Sequence, residues 1–296
     1  MTVTTFGTGW VYKSRLKKMA VADRKPNRNA TCASNEPHHF VSRRMNTPCS
    51  KDHPARRPGS VDIEALPSLF AEMKETAESC LQDDVEYAAV MVPDYYTRED
   101  YTDIKDAAKS VGLNIVLVKT HSAAAGTAYG VGWSQEDATV LFYDLGHETF
   151  QVSAYYADLG IFEPLANATD HQLAKKIDQA LGTTGHSKRH YLDTYQMELV
   201  EQTLPVVERV TAEANLSKSD FNHLLISGAH TRHSQIRSLL EEFMGRRITP
   251  LGQDVELWRL WEPSNLDPDE VVTLGAAIFA AALSKPLPIS RFNYPF

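Results

Sequence analysis

The residues best suited to chemistry run Leu141-Phe142-Tyr143-Asp144-Leu145-Gly146-His147-Glu148-Thr149-Phe150-Gln151-Val152-Ser153. An apolar strand ends in Asp-Leu-Gly and passes through a tight turn into a second strand, which is the layout of a hairpin that grips phosphate. Such a turn points backbone N–H groups at an anion, and an aspartate at the strand end can hold a magnesium ion that neutralises phosphate oxygens. Here the turn is compromised. His147 and Glu148 follow Gly146, where close approach of the backbone to a triphosphate favours glycine and a carboxylate repels the ligand. The sequence thus proclaims a nucleotide site and partly contradicts it.

Other chemistry-bearing types are scattered. The pairs His186 with His190 and His230 with His233 have helical spacing that suits zinc, but no third or fourth ligand is evident, so metal binding is not expected from them. His147 and Glu148 read as solvated turn residues, and His121 as a satisfied, partly buried histidine. An imidazole facing phosphate would be a weak anion clamp. In Leu257-Trp258-Arg259-Leu260-Trp261 core packing is the default, with an exposed aromatic partner surface as the alternative. Cys32, Cys49 and Cys80 are few, odd in number and unclustered, which suggests a reducing compartment, read as cytoplasmic, and no cysteine metal site.

The elements that must position the hairpin alternate along the chain. Helical spacing covers 64–81, and Tyr87 to Val92 is a strand. Thr97 caps a helix with Asp100 three residues on, and Gly112 closes it. Ile115 to Val118 is a second strand, and the small-residue run Ala123 to Gly130 is a helix packed very closely on its neighbour. After the hairpin at Thr139 to Tyr156 come a strand from Ile161, a helix from His171 to Leu181, and a long helical region from Tyr191 to Leu216, bent or restarted at Pro205. His223 to Ile226 is a strand, Ser227-Gly228-Ala229 a turn, and Ile236 to Met244 a helix ending at Gly245. Asp267-Pro268-Asp269-Glu270 opens a final helix. Strand, helix and hairpin in mixture predict an α/β body.

Composition narrows the function classes. With 296 residues and 43% apolar composition, the chain can bury a substantial core. Residues 1–60 hold 12 Lys or Arg against 3 Asp or Glu, whereas the remainder holds 18 against 35. An acidic body leaves no basic stripe for phosphates, so nucleic-acid binding is not expected. The cations of the basic head could serve an import signal or a nucleic-acid arm, but Pro, Asn and Ser dilute them and no amphipathic period is sustained, so it reads as disordered. No run reaches the length of a membrane span, and no signal-peptide core opens the chain.

Three separated blocks carry a resemblance. Val92-Pro93-Asp94-Tyr95-Tyr96 with Lys105-Asp106-Ala107-Ala108 and Gly112-Leu113-Asn114 is similar to a V-P-A-Y-F, K-D-A and G-L-N pattern and continues into Ala128-Tyr129-Gly130. Asp144-Leu145-Gly146 with Thr149-Phe150 and Val152-Ser153 resembles D-L-G-G-G-T-F-D-V-S. Asp267-Pro268-Asp269-Glu270-Val271-Val272 with Gly275-Ala276-Ala277 resembles N-P-D-E-A-V-A-Y-G-A-A. Together, over 61–283, they resemble the nucleotide-binding domain of the heat shock protein 70 family, in divergent and truncated form. The resemblance implies an actin-like ATPase (ribonuclease H-like) fold, with an incomplete first lobe and a second lobe lacking most of its upper subdomain. The implied domains are a basic head at 1–60, a first-lobe remnant at 61–137, a second lobe at 138–284 and a tail at 285–296.

Departures from the family pattern bear on chemistry. The family's first phosphate loop, of the D-L-G-T-T type, and its catalytic lysine do not appear among residues 1–60. Thr120-His121-Ser122-Ala123 stands where the family has asparagine-glutamate-proline-threonine, so a water-positioning carboxylate has become an imidazole. Gly182 to Tyr191 is too short for the subdomain that grips adenosine, and Ser227-Gly228-Ala229-His230-Thr231-Arg232 replaces glycine-glycine-serine-threonine-arginine with one residue inserted. Pro93 matches a coupling proline, but the arginine expected eight residues later is Tyr101. Lys285-Pro286-Leu287-Pro288 does not resemble the linker to a peptide-binding domain, and none is expected in this chain.

The resemblance therefore implies a degenerate, chaperone-related ATP-binding domain whose hydrolysis is weak or lost. ATP or ADP with magnesium would be held weakly by Asp144, Gly146, Thr149, Gly228 and Arg232, with Asp144 carrying magnesium through water and Asp269 bracing the Gly228 loop. The alternative is a nucleotide-independent pseudo-ATPase scaffold. A sugar or acetate kinase of the same superfold would also need the missing first loop. A protein partner or co-chaperone is implied.

Overall fold

The computed structural model describes residues 2–6, 9–13, 18–22, 63–81, 83–131, 137–158, 160–181, 192–250 and 268–284, the first three segments as strand backbone. The chain divides into two compact units, Met1–Ala124 with Val272–Phe296, and Ala125–Val271. By this division the first unit ends within the small-residue helix and takes in the segment from Val272.

In the first unit a five-stranded sheet has the order β1-β2-β3-β4-β5. It is built from β1 (Thr2–Phe6), β2 (Gly9–Lys13), β3 (Lys18–Ala22), β4 (Tyr87–Val92) and β5 (Asn114–Thr120). The first three strands form an antiparallel meander, while β3, β4 and β5 run parallel. Residues 2–6, 9–13 and 18–22, which fall in the head read as disordered, are described as strand backbone. Thr, Val, Trp, Tyr and Phe in β1 and β2 favour a pleated surface, and β3 gains ladder hydrogen bonds on β4, a long-range pairing that composition does not reveal. Residues 23–62 lie outside the described residues.

Helices α1 (Leu66–Leu81) and α2 (Arg98–Ser110) pack with the β4 and β5 strands around Leu66, Phe70, Val90, Val92, Ile104, Ala108 and Leu113. Thr97 starts α2 as its pattern predicts: the Thr97 amide and hydroxyl both donate to Asp100 Oδ2 at 2.7 Å. At the other end, Lys74 Nζ of α1 donates to the carbonyls of Val111 (3.4 Å) and Gly112 (3.3 Å). A cation thereby meets the negative end of the helix dipole.

Helix α3 (His121–Tyr129) spans the junction of the units. Its small residues permit close backbone approach. A Cβ on Gly275, within the closing helix, would lie 1.7 Å from the Ala124 carbonyl oxygen, so two helices meet there almost backbone to backbone. Lys119 Nζ also lies 5.9 Å from the centre of the Phe279 ring. On the second unit's side, a Cβ on Gly126 would lie 2.5 Å from Phe162 Cε1.

The second unit holds a four-stranded sheet in the order β8-β7-β6-β9. Its strands are β6 (Ala138–Leu145), β7 (Phe150–Asp158), β8 (Ile161–Asp170) and β9 (His223–Ser227). The β6/β7/β8 meander is antiparallel, and β9 runs parallel to β6. Buried residues of β6 include Leu141, Tyr143 and Leu145, which join Phe150 and Val152 against α4 (His171–Leu181), α5 (Thr194–Glu201), α6 (Leu204–Glu213) and α7 (Ser234–Met244). The long helical region breaks at Gln202–Thr203, with Pro205 in the first turn of α6, where a missing N–H costs nothing. Thr203 has a reason to be there. Its hydroxyl accepts from the buried Tyr143 hydroxyl (3.0 Å) and donates to Val200 O (2.6 Å), satisfying a polar group that burial would otherwise penalise. Burial raises the Tyr143 pKa well above the ordinary tyrosine value.

One pH-dependent element sits at the start of β9. His223, whose Nδ1 lies 3.3 Å from Thr249 Oγ1, has its pKa pushed below the ordinary 6.5 by burial, with repulsion from Arg246 adding to it. The unfolded chain then binds the proton more readily. Stability is accordingly complete above pH 6.5 and declines as pH falls through 6.5 towards the folded value. Urea midpoints measured from pH 5 to pH 8 are expected to fall on acidification, and His223→Gln to flatten that slope. Equal slopes in both proteins would count against this origin.

The last described segment is a short helical turn, Pro268–Glu270, leading into α8 (Val271–Ser284). This helix is apolar almost all round, which fits a buried element.

Candidate functional site

Parallel pairing of β6 with β9 sets Asp144 opposite Ser227. Both strands end here, and carboxyl ends of neighbouring parallel strands are where open α/β sheets bind ligands. Gly228 follows with φ +99° and ψ 147°. A Cβ on it would lie 2.3 Å from Leu145 O and 2.7 Å from Asp144 Oδ1, so the two loops touch at backbone distance. Asp144 is buried in this seam, at 4% exposure.

The β9 loop is held from below. The Gly228 amide (3.2 Å) and the Ser227 hydroxyl (3.1 Å) both donate to the carbonyl of Pro268, and Thr231 Oγ1 donates to Gly228 O at 2.8 Å. A brace for this loop is thus supplied by the main-chain carbonyl of Pro268, next to Asp269, from which a brace was expected. The Asp269 side chain lies outside the described residues. Arg232 ends the single helical turn Ala229–Arg232 and is half-buried.

The β6–β7 turn closes through the Gly146 amide, which donates to Thr149 O at 3.0 Å. His171, first residue of α4, lies 3.2 Å from Glu148 O through Nδ1 and 3.5 Å from Thr149 Oγ1, pinning the turn to the helix. The structure thus brings Asp144, Gly146, Thr149 and Gly228 together around one seam.

A second constellation was missed by sequence reasoning. His147 Nδ1 lies 2.6 Å from Asp178 Oδ1, and His230 Nε2 lies 3.1 Å from the same oxygen. The two imidazoles meet edge to face, with centres 5.0 Å apart. An ionised carboxylate only accepts, so each ring nitrogen facing it carries its proton. The hydrogen bond from His230 draws the Asp178 pKa down to about 2, against partial burial and with help from His147. His147 is thus not merely a solvated turn residue, although 45% of its side chain is exposed. The third ligand that the His230/His233 reading lacked comes from 52 residues away, and the histidine that joins it is His147 rather than His233. A signal did exist. His147 and His230 stand at the same offset beyond the register partners Asp144 and Ser227, so parallel pairing of β6 and β9 sets them side by side.

In the first unit, the start of α3 is closed by its own neighbours. The Ser122 amide donates to Asp94 Oδ1 (3.1 Å) and the Ala123 amide to Thr120 Oγ1 (3.3 Å). Both donors are orphans of a helix N-terminus, and a carboxylate there also answers the helix dipole. His121 is buried at 6% exposure. His186, His190, Trp258 and Trp261 lie outside the described residues, as does 182–191 where a subdomain was expected to be missing.

These α/β units, with the Asp-Leu-Gly hairpin and the glycine turn on adjoining strands, are those of an actin-like ATPase fold. The chain belongs to the Hsp70 family: the model described as "Hsp70 protein" matches residues 61–184 and 177–292, more than half of the chain. It is 28% identical to the chaperone protein HscA homolog of Paracidovorax citrulli over an alignment of 270 residues, covering 75% of this chain and 41% of that protein. The HscA homolog of Acidithiobacillus ferrooxidans is 27% identical over the same coverage. The chain spans about two fifths of the length of these curated relatives. No helix among the described residues is long and apolar enough to cross a membrane.

Proposed function

We propose that the second unit is a degenerate Hsp70-type module that holds ATP or ADP with magnesium, with hydrolysis slow or lost. The observation carrying this reading is the seam between Asp144 and Gly228, where a buried carboxylate lies against a glycine backbone at the ends of two parallel strands. Its donor set fits the group: a carboxylate suits magnesium, and main-chain amides in a glycine turn suit phosphate. Asp144 would hold magnesium through water, Gly146, Thr149 and Gly228 would border the phosphates, and Arg232 would lie by the base. Bound magnesium supplies charge neutralisation at the phosphates, and the chain's own residues orient the ligand.

Weakness follows from the turn. Glu148 brings a carboxylate to the hairpin, and the Gly146 amide is already engaged by Thr149. In the sequence, His121 stands where the resembled family pattern has a glutamate. Phosphoryl transfer depends almost wholly on positioning and charge stabilisation, so these losses weigh on hydrolysis far more than on binding. A chaperone-type protein partner and a cytoplasmic setting accompany this reading, on the acidic body and the scarcity of cysteine. The second reading is a scaffold that binds no nucleotide, favoured by the same Glu148.

Thermal unfolding with magnesium ATP separates the two. Ligand at a hundred times its Kd stabilises by about 2.7 kcal/mol, which raises Tm by roughly 5 to 11 °C for a domain near this size. Asp144→Asn is expected to abolish most of that rise. No rise at millimolar nucleotide would leave the scaffold.

A further inference from the structure

We propose that His147, Asp178 and His230 form a site for a transition-metal ion of the zinc class. The inference is independent of whether nucleotide binds. Three elements converge on it: the β6–β7 turn supplies His147, α4 supplies Asp178, and the turn after β9 supplies His230. One ligand atom from each lies within 4.8 Å of the other two.

Two of the three ligand separations approach those around a tetrahedral ion. Zinc bonds of about 2.0 to 2.2 Å to imidazole nitrogen and carboxylate oxygen set neighbouring ligand atoms about 3.3 Å apart. The Asp178 oxygen lies 3.1 Å from His230 Nε2 already, and 2.6 Å from His147 Nδ1. The half-exposed His147 needs only a small outward movement, since it sits in a turn between strands. His230 is nearly buried, with 6% of its side chain exposed, so one ligand is fixed in place while the other adapts.

At the facing nitrogens, binding exchanges a proton for metal. Without an ion, the ring nitrogens that face Asp178 each hold a proton. With an ion, the facing nitrogen of each ring offers its lone pair and the proton of a neutral ring moves to its other nitrogen, whereas a doubly protonated ring releases one proton to solvent; the carboxylate keeps its charge. A His-Asp-His set leaves one tetrahedral position open for water. Two imidazoles select zinc, cobalt or copper over magnesium and calcium, which prefer oxygen. In the family pattern that this chain resembles, glycine stands at the position of His147, so the site belongs to this sequence rather than to the common chemistry of the family. An ion here would tie the phosphate hairpin to α4 and to the Gly228 turn.

The test uses the whole chain stripped of metal, in excess magnesium and without nucleotide. Zinc is titrated against a chromogenic chelator, and cobalt is added to a separate sample for its visible ligand-field spectrum. The expected result is one zinc per chain, a tetrahedral cobalt spectrum, and at least a 10-fold loss of affinity in His147→Ala and in Asp178→Asn. Circular dichroism confirms that these variants fold, and His147→Gln, at a half-exposed turn position, serves if Asp178→Asn does not. A His186→Ala/His190→Ala double variant is expected to bind as the parent does. Zinc binding that survives in His147→Ala or His147→Gln but disappears in the double variant would overturn the proposal, as would no binding at micromolar zinc. Either result leaves the nucleotide reading untouched, because nucleotide is absent throughout.

Discussion

Gly275→Ala is expected to destabilise the protein by about 3 kcal/mol, although the same change in an isolated helix would stabilise it by about 1 kcal/mol. The reversal comes from packing. A Cβ at this position would lie 1.7 Å from the Ala124 carbonyl oxygen, 2.4 Å from its carbonyl carbon and 2.8 Å from its Cα. All three are backbone atoms and cannot rotate away, so α3 and α8 must separate. No side-chain rotation relieves the collision, which places the cost at the upper end for overpacking. For a domain of 150 to 250 residues this lowers Tm by roughly 6 to 12 °C. Urea unfolding gives the check: the midpoint should fall with little change in slope. A midpoint at or above that of the parent would show that the two helices do not meet at this glycine.

Gly228→Ala should cost more, about 4 kcal/mol, because backbone strain and collision act together. At φ +99° and ψ 147° the backbone lies where side chains are rarely tolerated, and the added carbon would sit 2.3 Å from the Leu145 carbonyl oxygen. Gly245 supplies the control. It also has a positive φ, of 65°, but nothing lies within 4 Å of its would-be Cβ. Gly245→Ala is therefore expected to cost only about 1 to 2 kcal/mol, the conformational share alone. Under the nucleotide reading, Gly228→Ala should also remove the thermal response to magnesium ATP, whereas Gly245→Ala should keep it. Equal destabilisation by the two substitutions would argue against contact between the β6 and β9 loops.

Much of the local structure was legible in residue order. The run from Tyr87 to Val92 is wholly apolar or aromatic, and it forms a strand with those bounds. Thr97 and Asp100 form the expected helix start, and His171 to Leu181 forms the expected helix. Restart of the long helix near Pro205 follows from a ring that cannot donate. Asp144 and Gly228, singled out from two motifs, stand at the ends of the adjoining strands β6 and β9. Each of these signals is either local or repeated at the period of its element, so it survives in one dimension.

What lay out of reach depends on partners distant in the chain. Strands within 2–22 gain their place from the β3–β4 ladder, and the same sequence read alone is a basic, polar head. The closing helix joins the first unit because Gly275 admits Ala124, a contact that nothing near residue 275 announces. Asp178 looks like any exposed helix acid until the fold sets His147 and His230 beside it. Sequence alone settled the elements and the motif residues, since hydrophobic period, caps and turn chemistry act over a few residues. Tertiary structure alone decided which backbones touch and which side chains share a proton, since those depend on distances that only the folded chain makes short.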